Sequence, residues 1–348
     1  MTRALIVSGA GGVGKTTISA ALAASAARDG ISALVVTVDP ARRLADALGF
    51  SLGNDPEPVP GFTGLSAAML DMTTSWEAIA HRYAEPDVAD RLLADPFFRA
   101  IADRFPAAQS FAAGERLAEL VESGGWDLIV VDTPPSGGGI DFFLAPSRIR
   151  ELVGGKLLTW LTGARIPGRR AFYRIAARPA LRLADTVLGG PLLEQVGDFL
   201  IDLRTMYDGL SVRARTIGRH LARADTMIVT TADPTPMREA RRFFAALPEV
   251  DVVPGAVLFN RALPVEWAGA VRMPLRGIED ADVRTALGEN LKRWGAEARR
   301  QEDARAELAK RHRVPIVTIP WMAVPPDSVD DLVSMIDRST GMSAVFGD

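Results

Sequence analysis

The sequence predicts an α/β protein built on a mainly parallel sheet, and three observations support this class. Short apolar runs, typical of buried strands, recur along the chain. Patterns with helical spacing lie between them, as expected when helices join parallel strands. The chain of 348 residues, 48% of them apolar, provides enough material for a sizeable core. The predicted strands cover residues 4–8, 33–38, 62–69, 127–132, 226–231, 255–259 and 315–319.

Composition excludes several classes of protein. The net charge of −3 argues against nucleic-acid binding by bulk charge. Cysteine is absent, which excludes disulfides and thiolate metal sites, and three dispersed histidines show no metal-ligand spacing. No uncharged run reaches the about 18 residues that a membrane helix needs, and the first residues lack the layout of a signal peptide. We therefore expect a cytoplasmic protein.

The first predicted strand leads into a glycine-rich loop and then an alanine-rich helical stretch. The loop matches G-x-x-x-x-G-K-S/T, the phosphate-binding P-loop, in its expected strand–loop–helix context. Glycines let successive backbone amides point into one concavity, and the helix N-terminus favours an anion. Lys15 can reach the β- and γ-phosphates of ATP, and the Thr16 hydroxyl can serve Mg²⁺. The predicted binding residues are Gly9, Ala10, Gly11, Gly12, Val13, Gly14, Lys15, Thr16 and Thr17.

The same glycines allow a second interpretation. Gly9, Gly11 and Gly14 also spell G-x-G-x-x-G, the dinucleotide fingerprint, with Asp39 as its ribose-binding acid. That interpretation does not require Lys15 and the threonines after it, and it does not predict a second acidic strand end. The P-loop interpretation explains both.

Polar residues follow three other predicted strands. Asp132 ends a run of four apolar residues, the Walker B arrangement in which a carboxylate serves Mg²⁺; alone it is also compatible with an ordinary turn. The glycine-rich loop 133–139 could respond to the γ-phosphate. Asp39 ends the second strand. Asn260 ends a later strand, where a carboxamide could pair with adenine, although asparagine often ends strands for turn reasons.

These motifs together resemble the ArsA-like ATPases, which include the arsenite-pump ATPase and the guided-entry ATPase for tail-anchored membrane proteins. The resemblance rests on the P-loop, on residues 39–49, on residues 132–146 and on Phe259-Asn260, and it is nearest to an actinobacterial-type subgroup. It implies a P-loop NTPase three-layer fold with an inserted helical subdomain, and a dimer with facing nucleotide sites. It also implies residue roles. Asp39 and Lys15 would be catalytic, with Asp39 orienting the attacking water. Thr16 and Asp132 would bind Mg²⁺, and Asn260 would contact adenine.

The departures from the family pattern raise further expectations. Deviant Walker A loops carry a lysine where this chain has Ala10. Hydrolysis is then slow, or a cation comes from Arg42, Arg43 or a paralogous partner that keeps the lysine. Both a homodimer and a heterodimer stay open. Without cysteine, the chain has neither the bridging zinc of guided-entry ATPases nor thiolates for arsenite.

The domain expectation is a single P-loop ATPase domain over residues 1–348, with a helical subdomain from about 73–123 and 149–222. Residues 150–223 hold 13 basic and 6 acidic side chains, and Arg170, Arg174 and Arg178 repeat four apart. This stretch is either a solvated face over core residues or a surface for a membrane-protein client or for membrane headgroups. The expected function is an ATP-hydrolysing dimeric switch coupled to a partner; the alternative is a weakly hydrolysing regulatory subunit of a heterodimer.

Overall fold

The computed structural model describes residues 2–38, 43–134, 140–154, 192–272, 275 and 277–347. The chain divides into two compact units. The sheet unit comprises Met1–Met69, Gly124–Ile140 and Ala224–Asp348, and the helical unit comprises Leu70–Ser123 and Asp141–Arg223. The arginines at 170, 174 and 178 lie outside the described residues.

Within the described residues, the sheet unit has eight strands: β1 (Arg3–Gly9), β2 (Ala33–Thr37), β3 (Glu57–Pro58), β4 (Leu65–Met69), β5 (Leu128–Asp132), β6 (Asp225–Thr230), β7 (Pro254–Ala262) and β8 (Ile316–Pro320). Their order in the sheet is β3-β4-β2-β5-β1-β6-β7-β8. All neighbouring strands pair in parallel except β3 and β4, which are antiparallel. The predicted α/β class with a mainly parallel sheet is therefore confirmed.

All seven predicted strands are present, with ends shifted by a few residues, whereas β3 was not predicted. Its two residues are exposed and include a proline, so no apolar run marks them. The central strands are buried on both faces: Leu5 and Val7 belong to one core cluster, and the intervening Ile6 is equally inaccessible. Burial on both faces explains the continuous apolar runs and is typical of parallel sheets covered by helices.

The helices of the sheet unit include the alanine-rich α1 (Lys15–Arg28), which packs in the core with α12 (Val329–Asp337). Alanine has the highest helix propensity, and its small side chain permits close approach of a helix to a sheet. The segments are α1 (Lys15–Arg28), α2 (Arg43–Leu48), α10 (Pro234–Ala246), α11 (Ala281–His312), α12 (Val329–Asp337) and α13 (Ser343–Phe346), with 3₁₀ turns at Leu247–Val250 and Val265–Arg272.

The helical unit has an aromatic centre around Trp76. Its ring packs edge-on against Phe98, with 5.7 Å between ring centroids, and stacks on Phe111, with 6.0 Å between centroids. Its segments are α3 (Met72–Tyr83), α4 (Pro86–Ala94), α5 (Pro96–Arg104), α6 (Pro106–Ser123), α7 (Ile140–Gly154), α8 (Leu192–Thr205) and α9 (Tyr207–Arg223). The single P-loop domain over residues 1–348, with a helical subdomain from about 73–123 and 149–222, stays a prediction. Within the described ranges, no helix combines the length and apolar character needed to cross a bilayer.

Candidate nucleotide-binding site

The loop between β1 and α1 requires glycine at two places. Gly9 lies so close to β6 that an added Cβ would stand 2.3 Å from the Val229 carbonyl oxygen. Gly14, the residue before α1, has a left-handed backbone with φ of 93°, and its Cβ would stand 2.5 Å from the Asn260 carboxamide nitrogen. Any other residue would push the loop away from the strands that support it. The loop is therefore packed tightly between β1, β6 and β7.

The P-loop lysine is held inside the loop rather than in solvent. Lys15 is the first residue of α1 and is buried, and its ammonium donates a 2.8 Å hydrogen bond to the carbonyl of Ala10. Gly9 to Gly14 thus fold around a positive charge at a helix N-terminus, an arrangement that attracts an anion. Thr16 and Thr17 follow in the first turn of α1.

Asp132 lies at the end of β5, between two hydroxyl groups. Its Oδ2 accepts hydrogen bonds from the hydroxyl of Thr16 at 2.7 Å and from the hydroxyl of Thr37 at 2.9 Å. Thr37 is the last residue of β2 and is paired in register with Asp132. Thr37 was not predicted from the sequence. The signal that could have identified it is a polar residue at the carboxyl end of an apolar strand, the position that Asp132 has in β5.

These oxygen atoms fit a hard divalent cation. A threonine hydroxyl and an aspartate carboxylate are the ligand types that suit Mg²⁺, which keeps several waters and binds phosphate oxygens besides one or two protein groups. The structure brings Thr16 and Asp132 together, and their metal role stays a prediction. Asp39 and Arg42 lie outside the described residues, and Arg43 is exposed at the start of α2.

Asn260 contacts the P-loop directly. Its carboxamide nitrogen donates to the Val13 carbonyl at 2.8 Å, and its carboxamide oxygen accepts the backbone N–H of Arg261 at 2.8 Å. The side chain is buried. The predicted adenine contact stays a prediction, and the contact that the structure gives Asn260 is with the loop. Arg261, which also reaches the loop, was not singled out from the sequence.

The fold and the loop together define a P-loop nucleotide-binding α/β protein. A family model described as "Anion-transporting ATPase" matches residues 2–273, more than three quarters of the chain. The chain belongs to this family of ATPases. Membership favours the P-loop interpretation over the dinucleotide interpretation of the same glycines. The family match does not identify a subgroup, so the actinobacterial-type assignment stays a prediction.

Curated relatives agree with this assignment. The chain is 30% identical over 150 residues to the ATPase get3 of Schizosaccharomyces pombe, covering 43% of this chain and 45% of that protein. It is 34% identical over 143 residues to the ATPase GET3 of Malassezia globosa, covering 41% and 42%. It is 30% identical over 195 residues to the ATPase GET3 of Ajellomyces dermatitidis, covering 51% and 55%. The chain thus spans about half the length of the curated relatives it matches.

Proposed function

We propose that this chain binds and hydrolyses Mg-ATP and acts as a dimeric switch that couples hydrolysis to a protein partner. The observation that carries the proposal is the 2.7 Å hydrogen bond from the Thr16 hydroxyl to Asp132. It joins the P-loop helix to the end of β5, so the two residue types that serve Mg²⁺ in P-loop NTPases stand side by side. Family membership and the buried Lys15 support the same function.

The residues of the chain would divide the work as follows. The amides of Gly9 to Gly14 and the Lys15 ammonium would bind and orient the β- and γ-phosphates. Thr16 and Asp132 would hold Mg²⁺, which when bound neutralises charge on the phosphate oxygens. Asp39, two residues beyond Thr37 in the sequence, would orient the attacking water. Catalysis would then rest on positioning and charge stabilisation, without a covalent intermediate.

The switch part of the proposal rests on the family resemblance. A response of residues 133–139 to the γ-phosphate would be the event that changes the affinity for a partner. A membrane-protein client and a membrane surface are the two partner classes that the resemblance and the basic stretch 150–223 favour. ATP, Mg²⁺ and a second ATPase chain are the remaining predicted ligands and partners.

Single-turnover hydrolysis of Mg-ATP by the purified chain tests the proposal. We expect adenosine triphosphate to bind, to require Mg²⁺ for turnover, and to be hydrolysed. Asp39→Asn should keep ATP binding and lower turnover by about 100-fold or more, because water orientation contributes only to the chemical step. Intact turnover in Asp39→Asn would remove the catalytic assignment of that residue.

The second candidate is a weakly hydrolysing regulatory subunit of a heterodimer, and the residue that favours it is Ala10. Ala10 is buried and carries no charge where the family pattern has lysine. Native mass measurement with a non-hydrolysable ATP analogue separates the two candidates. A fully active dimer of this chain alone would exclude the need for a lysine-bearing paralogue, and a monomer without turnover would favour the regulatory role.

A further inference from the structure

Two consecutive residues of β7 contact two consecutive carbonyl groups of the P-loop. Asn260 donates to the carbonyl of Val13 at 2.8 Å, and the Arg261 guanidinium donates through Nη2 to the carbonyl of Gly12 at 3.2 Å. We name this pair of contacts the β7 clamp. Both carbonyls are held on the side of the loop that faces β7.

The planarity of the peptide bond gives these contacts a consequence for anion binding. In a trans peptide the carbonyl oxygen and the amide hydrogen of the next residue point in opposite directions. Holding the Gly12 carbonyl toward β7 therefore turns the Val13 amide away from β7, and holding the Val13 carbonyl does the same for the Gly14 amide. Amides turned to a common side form the concave nest that binds phosphate oxygens.

The backbone at Arg261 is built to make the second contact. The register between β7 and β8 passes from Phe259 opposite Thr318 to Ala262 opposite Pro320, so β7 carries one extra residue here. Arg261 takes a left-handed conformation with φ of 57°, which is unfavourable for a residue with a side chain. The Asn260 carboxamide oxygen, which accepts the Arg261 N–H, stabilises this conformation. β-Bulges of this kind redirect side chains near functional sites.

We infer that Arg261 is a positioning residue of the nucleotide site, which acts through the Gly12 peptide and places a permanent positive charge beside the phosphate loop. This inference rests on the proposed function. The chain has Ala10 where the family pattern has lysine, and Arg261 brings a guanidinium from β7 to the same loop. Because loop amides contact the phosphates before and during reaction alike, Arg261 affects nucleotide affinity more than the rate of the chemical step.

Arg261→Gly is the sharpest variant, because glycine accepts the left-handed backbone and only the side chain is lost. Arg313 provides a matched control: it is also an exposed arginine with a left-handed backbone, with φ of 53°, and it follows the C-terminus of α11. The measurements are calorimetric Kd values for Mg-ATP and Mg-ADP, together with kcat and the thermal midpoint.

We expect Arg261→Gly to raise the Kd for Mg-ATP by about 5- to 20-fold, as for loss of a charge-assisted hydrogen bond, and to change kcat by less than about 2-fold. Arg261→Lys should recover part of the affinity, and Arg313→Gly should bind as the unaltered chain does.

Three results would overturn the inference: unchanged affinity in Arg261→Gly, an equal loss in Arg313→Gly, or a fall in kcat with unchanged Kd. If the unaltered chain itself binds no adenosine nucleotide, the proposed function fails, which is a different result from failure of the clamp.

Discussion

Each of the two units contains a buried carboxylate, and the two are stabilised in different ways. In the sheet unit, Asp132 accepts hydrogen bonds from the hydroxyls of Thr16 and Thr37. In the helical unit, Glu115 of α6 accepts a hydrogen bond from Arg82 at 2.7 Å and one from Arg213 at 2.6 Å. A hydroxyl stabilises a carboxylate and leaves its charge unchanged, whereas two guanidinium groups neutralise it.

The surroundings of Glu115 extend this contrast. Arg213 also binds Glu122 at 2.8 Å, and His220 lies 3.1 Å from the same Glu122 carboxylate. Arg82 reaches Glu119 at 2.6 Å. Burial raises the pKa of Glu115 despite the opposing hydrogen bond from Arg213. The network joins α3, α6 and α9 through side chains that already satisfy one another, so its role is structural.

The two carboxylates differ in what they leave available to a cation. A carboxylate bonded by hydroxyls at the end of a parallel strand keeps oxygen ligands of the type that Mg²⁺ uses. A carboxylate bonded by arginines has its charge compensated within the fold. Substitutions at the two carboxylates should therefore change different properties, namely metal-dependent turnover at Asp132 and folding stability at Glu115.

Replacing Asp132 by Asn should abolish function without unfolding the sheet unit. The amide oxygen can still accept hydrogen bonds from Thr16 and Thr37, but the negative charge that would hold Mg²⁺ is lost. We expect Mg-dependent ATP turnover to fall by about 100-fold or more, with little change in the thermal midpoint. Turnover and thermal denaturation measured on the same preparation check this, and full activity in Asp132→Asn would end the proposed metal role.

Replacing Glu115 by Ala should lower folding stability and leave nucleotide binding intact. Arg213, whose side chain is only 13% exposed, would lose a buried partner, while Arg82 is 46% exposed and would turn to water. We expect a loss of about 2 kcal/mol in the free energy of unfolding, or roughly 30-fold in the equilibrium constant. Urea titration measures the loss, and Mg-ATP affinity should stay the same. A variant as stable as the unaltered chain would contradict the structural role.

Thr37 offers a smaller test of the hydroxyl shell around Asp132. Thr37→Val keeps the shape of the side chain and removes one hydrogen bond to the carboxylate. We expect the apparent affinity for Mg²⁺ during ATP turnover to weaken by about 3- to 10-fold. Thr37→Ser should restore it, because serine supplies the same hydroxyl. Equal behaviour of the valine and serine variants would show that the hydroxyl is not used.

The pH dependence of stability should carry the smallest signal. The pKa of Glu115 is raised above its ordinary value of 4.5 by burial, so the folded chain holds this proton more tightly than the unfolded chain does. Stability from this group is full below the ordinary value and is lost as pH rises through the raised pKa. Denaturant midpoints measured across that window should fall more steeply with pH in the unaltered chain than in Glu115→Gln.

Glu122 makes the variant comparison necessary. Burial raises the pKa of Glu122, but hydrogen bonds from Arg213 and His220 outweigh it, so the pKa is lowered. The contribution of Glu122 to folding stability therefore grows as pH rises. The two effects oppose each other in the unaltered chain. Only the difference between the unaltered chain and Glu115→Gln isolates Glu115, and parallel profiles would contradict the raised pKa.

Local sequence determined the fold class and the P-loop. The strands at the centre of the sheet are buried on both faces, so each forms a continuous apolar run that can be predicted as a strand without knowledge of its neighbours. The loop from Gly9 to Thr17 is contiguous, and its chemistry follows from residue spacing alone. Asp132 was predictable for the same reason, since it ends one of these runs.

Tertiary structure decided which further residues from distant parts of the chain meet at the site. Thr37 reaches Asp132 because β2 and β5 are neighbours in the sheet, although 95 residues separate them in the chain. Arg261 reaches Gly12 because a bulge in β7 turns its side chain toward a loop 249 residues away. Spacing along a sequence encodes contacts within one strand or turn, whereas strand order and register decide contacts across the sheet.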